Sequence, residues 1–144
     1  MKGVYVLIIQ LSEDTIATVG ALGNQIFKQG LYAYVGSAQT NLEKRVQRHL
    51  RGKKRRFWHI DHLLNKPAAK IVKVFFNHYG KPQECAIARE IGKHGESVLG
   101  FGCSDCHCPS HLFQLTSYEF LQDFVHELNI GTRAQEGFIA SAFS

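Results

Sequence analysis

Val4-Tyr5-Val6-Leu7-Ile8-Ile9 is an unbroken apolar run, mostly β-branched or aromatic, that the polar Ser12-Glu13-Asp14 brings to an end. Such a run predicts a buried strand reaching Leu11. Ile16 to Val19 predicts a weaker second strand. Glycines at 20, 23 and 30 punctuate the next segment, and Leu31-Tyr32-Ala33-Tyr34-Val35 predicts a third strand before Gly36-Ser37. The opening reads as an antiparallel hairpin or meander. Thr40-Asn41-Leu42-Glu43 then has capping-box spacing, which predicts a helix running to about Leu50. In that helix Leu42, Val46 and Leu50 form the buried stripe. Arg45 and His49 lie along its border, while Lys44, Arg48 and Arg51 point further out.

Phe57 to Leu64 predicts a second, short helix, stopped by Asn65-Lys66-Pro67. Ile71 to Phe76 predicts a strong strand. Pro82 suits the first turn of a helix carried by Ala86, Ile87, Ala88 and Ile91 and closed near Gly92 or Gly95. A glycine and cysteine-rich loop, Gly100 to Ser110, leads to a short strand, His111 to Leu115. A final helix from Ser117 is expected from the stripe of Phe120, Leu121, Phe124, Val125 and Leu128. These elements sum to a small α/β domain of α+β type over residues 1–128: a three-stranded antiparallel central sheet (Val4 to Leu11, Leu31 to Val35, Ile71 to Phe76) flanked by helices. Residues 129–144, rich in small side chains, are expected to form a C-terminal tail.

Composition narrows the function classes. A chain of 144 residues with 44% hydrophobic and 20% charged side chains suits one domain with a real core. Its longest apolar runs fall far short of the roughly 20 residues that span a bilayer, so no membrane helix is expected. The N-terminal residues lack the pattern of a secretory signal, and the expected compartment is the cytoplasm, with four cysteines reduced. The formal charge is +5, and it is concentrated. Lys44, Arg45, Arg48, Arg51, Lys53, Lys54, Arg55 and Arg56 put eight of the 17 basic residues into one short stretch. A patch of this kind neutralises phosphates and makes binding salt-dependent, with Phe57 and Trp58 adjacent as stacking groups. A solvated helix face followed by a basic loop is the plainer reading of the same residues.

Gly3-Val4-Tyr5 at the head of the first strand and Tyr34-Val35-Gly36 at the end of the third resemble the two motifs that name the GIY-YIG endonuclease superfamily. The segments Gly36-Ser37-Ala38 and Leu42 to Leu50 resemble its strand-to-helix passage, and Phe57 to Leu64 resembles its small Uri-type branch. About 28 residues separate Tyr5 from Tyr34, more than the family's usual spacing, so an enlarged N-terminal hairpin is expected between the motifs.

The resemblance implies hydrolysis of phosphodiester bonds in DNA or RNA, in repair or processing, dependent on Mg2+ or Mn2+. Its tyrosines would be Tyr5 and Tyr34, its arginine Arg45, and His49 stands one turn later where some restriction-enzyme members carry a catalytic residue. A phenol would accept the water's proton only with its pKa brought down from near 10, for which a metal and Arg45 are the available cations. The family's metal-binding glutamate falls on a later helix, where Glu84 matches the branch pattern better than Glu90. An acidic first-turn residue is also favoured by the helix dipole alone. A catalytically silent nucleic-acid-binding module is the alternative reading.

One further cluster stands apart. Cys103, Cys106, Cys108 and His111 offer four ligands of the kind zinc takes, and a zinc-dependent interaction domain would be built on them. All four lie within nine residues, whereas structural zinc sites usually join two separated pairs.

Overall fold

The computed structural model describes residues 3–19, 23–38, 40–50, 59–77, 82–98, 101, 110–123 and 126–128. Strand β1 (Gly3–Leu11) is buried along almost its whole length because it is paired on both sides. Strand β4 (Gly30–Ala38) lies antiparallel along one edge and β5 (Ala69–Asn77) along the other. These are the three strands the apolar runs predict. The sheet is wider than expected: β7 (Leu112–Leu115) pairs with β4, β6 (Gly95–Ser97) extends beyond β7, and β8 (His126–Leu128) pairs with the outer edge of β5. The order is β6-β7-β4-β1-β5-β8, antiparallel throughout.

Alternation along β1 sorts the core into two layers. Tyr5, Leu7, Ile9 and Leu11 join Tyr32 and Tyr34 of β4 on one face. There they meet Leu42 and Val46 of helix α1 (Leu42–Leu50) and Ile60 and Leu63 of α2 (His59–Leu64). Val4, Val6 and Ile8 pack on the other face with Ile87, Ala88 and Ile91 of α3 (Pro82–Gly92). The enlarged hairpin is a two-stranded ribbon, β2 (Thr15–Thr18) paired with β3 (Asn24–Phe27), whose Ala17 and Phe27 belong to the α1-side core. The sequence pattern had shown only the first of its strands, because Asn24 to Phe27 is too polar to stand out.

Four expectations need correction. Among the described residues no α-helix follows Ser117: Glu119–Asp123 is a short 3-10 helix, and His126–Leu128 is a strand. The open edge of β5 supplies partners at Val74, Phe75 and Phe76, and this sheet pairing overrides the amphipathic stripe. The residue preceding α1 is Asn41, not Thr40, so the capping box is out of register by one. Asn41 takes a positive φ of 45°, which asparagine tolerates, and its carbonyl accepts the Arg45 amide at 3.2 Å. On α1 itself His49 is buried with Leu42 and Val46, while Leu50 is only half-buried.

Arg48, finally, does not point outward. Its Nη1 and Nη2 donate to both oxygens of the fully buried Asp61 of α2, at 3.0 and 2.9 Å. This bidentate pair ties α1 to α2. The expected tail, 129–144, lies outside the described residues. Among the described residues no helix is long and apolar enough to cross a membrane.

Removing one partner of a buried pair leaves the other charge uncompensated. Asp61→Asn is therefore expected to destabilise the fold by about 3 kcal/mol in urea denaturation. Double replacement of Arg48 and Asp61 by apolar residues should cost less than the single change.

Candidate functional site

Tyr5 and Gly36 are direct partners across the β1–β4 ladder. A Cβ at Gly36 would stand 2.5 Å from both Cζ and Oη of Tyr5, so the missing side chain is what lets the ring lie over the strand. The phenol then reaches α1, where its Oη is 2.8 Å from His49 Nε2. Tyr34, opposite Leu7 and on the same face, brings its ring centroid to 6.1 Å from the His49 imidazole. Arg45 stands one turn before His49. It hydrogen-bonds the Tyr5 phenol, and its Nη1 donates to the Ser37 carbonyl at 2.9 Å. Tyr5, Tyr34, Arg45 and His49, selected from separate segments of the sequence, are thus gathered at one end of the sheet.

The group is drier than a border position on the helix implied, with His49 only 2% exposed. Burial raises the pKa of Tyr5 well above the ordinary phenol value, and the positive charge of Arg45 offsets only part of that. Tyr34 is raised too, by burial first and then by the neighbouring Tyr5, Glu84 and Asp61. The expected lowering by cations is therefore not met in the protein itself: desolvation outweighs the guanidinium.

Glu84 sits in the first turn of α3. Its Oε1 accepts the Ser37 hydroxyl at 2.5 Å, and its Oε2 is 2.9 Å from His111 Nδ1. Both phenols feel its charge. Glu90 instead lies 3.1 Å from Lys93 near the surface. Ser37 links the two halves, with its carbonyl held by Arg45 and its hydroxyl by Glu84. Sequence reasoning did not assign it a role, although its place directly after Tyr34-Val35-Gly36 was a usable signal. His111 was grouped with the cysteines, and the fold sets it against Glu84.

Among the described residues no group of three or more His, Cys, Asp or Glu side chains could hold a metal ion. Magnesium asks for less: one or two carboxylates suffice when waters and a phosphate complete the octahedron. Glu84 supplies one carboxylate beside the phenols. Of the possible zinc ligands, Cys103, Cys106 and Cys108 lie outside the described residues, as do Arg51, Lys53, Lys54, Arg55 and Arg56 of the basic stretch. Lys44 is exposed, and Arg48 is committed to Asp61.

The chain belongs to the family described as Domain of unknown function DUF123, whose sequence profile matches residues 4–133. No curated protein and no solved structure matches it.

The raised phenols carry a consequence for alkaline stability. A group whose pKa is higher folded than unfolded loses its proton first in the unfolded chain, so stability is intact below the unfolded value of 10.0 and falls as pH rises above it. Tyr32, pushed up to about 12, adds to the same slope. Denaturation midpoints measured across this range should fall steeply for the wild type, and less steeply for Tyr34→Phe.

Proposed function

We propose that this protein is a GIY-YIG-type endonuclease, hydrolysing phosphodiester bonds in DNA or RNA with the help of Mg2+ or Mn2+. One observation carries the reading: two strand phenols, a helix imidazole and guanidinium, and the carboxylate of a third helix share one end of the sheet and sense one another's charge. Phosphodiester hydrolysis needs a route for the water's proton, a partner for the phosphate's charge and a neutralised leaving oxygen.

The first two needs fall to residues of the chain, and the leaving oxygen would be neutralised by the divalent cation when bound. Tyr5, kept protonated by burial, is hydrogen-bonded to His49 Nε2. As it accepts a proton from the attacking water it passes its own to the imidazole, so no free phenolate is required. Arg45, oriented through Ser37, meets the developing charge on the phosphate oxygens. Tyr34 packs edge-on against the His49 ring. Glu84 is the residue that would hold the divalent cation, whose contribution when bound is Lewis-acid stabilisation of the phosphate. Nucleic acid is the partner, with Lys44 and the basic stretch that follows α1 as its contacts.

The burial of Tyr5 and His49 favours a second reading, a binding module that keeps the basic patch without cleaving. The two separate in one assay. Purified protein with Mg2+ or Mn2+ is expected to nick supercoiled or branched DNA, or to cut a structured RNA. Arg45→Ala should lower the rate on the order of a hundredfold or more, and Tyr5→Phe comparably, with binding retained. Salt-sensitive binding with no cleavage by the wild type would leave the module standing instead.

A further inference from the structure

On the α3 side of the sheet, the face away from Tyr5 and His49, a cavity of about 370 Å³ opens between the last turns of α3 and the β6–β7 pair. That volume is at the lower end of the range of small-molecule sites. Ala88 and Phe113, both buried, form an apolar floor, and Ser97 brings a hydroxyl from β6. Arg89 and Lys93, both exposed and one turn apart, stand at the cavity from the α3 side. Among the described residues no carboxylate lines it. Lys93 shares its charge with Glu90, 3.1 Å away, so the net charge at the cavity is close to that of Arg89 alone.

Gly92 gives the cavity its depth. A glycine at a helix end usually serves a positive φ, but among the described glycines only Gly23 and Gly30 take one. The chain leaves α3 through tight turns instead, the Lys93 amide bonding the Glu90 carbonyl at 3.2 Å and the His94 amide the Ile91 carbonyl at 2.9 Å. What a glycine leaves at this position is room: a Cβ on Gly92 would stand 3.3 Å from Cε1 of Phe113, at the cavity floor. Alanine would form the helix better and narrow the space. We propose that this cavity binds a small organic carboxylate with a flat apolar body. The body lies against Phe113 in the space that Gly92 keeps open, and the carboxylate pairs with the planar guanidinium of Arg89. One net positive charge suits a monoanion better than a doubly charged phosphate ester. The site stands apart from the proposed nuclease chemistry, roughly 12 Å along α3 from Glu84.

The test uses naphthoate as the probe, its uncharged analogue naphthamide as the control, and the isotope-labelled full chain followed by nuclear magnetic resonance. Naphthoate is expected to shift the backbone amides of Gly92, Ser97 and Phe113 saturably, with naphthamide binding about 5-fold more weakly or worse. Arg89→Gln, a change at an exposed side chain, should weaken naphthoate by about the same factor and leave naphthamide unaffected. Gly92→Ala should weaken both alike. Equal affinity for the two compounds, or wild-type naphthoate affinity in Arg89→Gln, would overturn the carboxylate assignment. Shifts centred on Lys44 and α1, or no saturable shift at millimolar probe, would overturn the site itself. Concentration-dependent shifts of the same amides without probe would assign the cavity to a second copy of the chain and equally overturn the proposal.

Discussion

Tyr5 faces Gly36 across the central ladder, and the site exists only while that pairing holds. β1 is apolar on both faces, so hydrophobic alternation alone says little about which of its residues should point toward α1. A slip of one residue along β4 would leave the strand equally greasy while sending Tyr5 to the α3 side. Two features break the degeneracy. Only a glycine opposite leaves room for the ring, and only one face offers the imidazole of His49 to the phenol. The residues that make the candidate chemistry are also those that fix the register.

The same economy extends to the other polar groups in the core. Asp61, His49 and His111 are all buried, and each is bonded across a junction between elements: α2 to α1, α1 to β1, and the lead into β7 to α3. Apolar contacts tolerate small sliding of a helix on a sheet, whereas an unsatisfied buried polar group costs about 1–3 kcal/mol, so these links set where the helices stop. Helix α1 is the most constrained, because Arg45, Arg48 and His49 engage three different neighbours from consecutive turns.

The central strands and α1 to α3 were legible because each rests on a local signal: apolar runs for β1, β4 and β5, a proline and a glycine bounding α3. What failed to show depended on partners distant in sequence. His126-Glu127-Leu128 reads as the end of an amphipathic helix until the free edge of β5 is known. Arg48 reads as a solvent-facing cation until Asp61, thirteen residues on, is folded back beneath it. At the site, Tyr5, Tyr34, Arg45 and His49 were visible as a motif with a spacing, while Ser37 and the Glu84–His111 contact were not. No periodicity relates positions 37, 84 and 111; only the sheet order that seats β7 against β4 brings them together.

That seating also explains why charges on opposite faces of the sheet communicate. β7 runs beside β4 only as far as the Tyr34–Leu112 pair and the Val35 amide bond to His111. Two residues further, Ser37 has the same parity as Val35, so its carbonyl points to that same edge, where no described strand continues. An exposed sheet carbonyl needs a donor, and Arg45 supplies it from the phenol side. The Ser37 side chain meanwhile alternates to the α3 face, where Glu84 waits. Continued in register, β7 would set Pro109 opposite Ser37, and a proline has no N–H to give, so the carbonyl depends on a donor from outside the ladder and the Arg45 anchor is itself part of how the site is built.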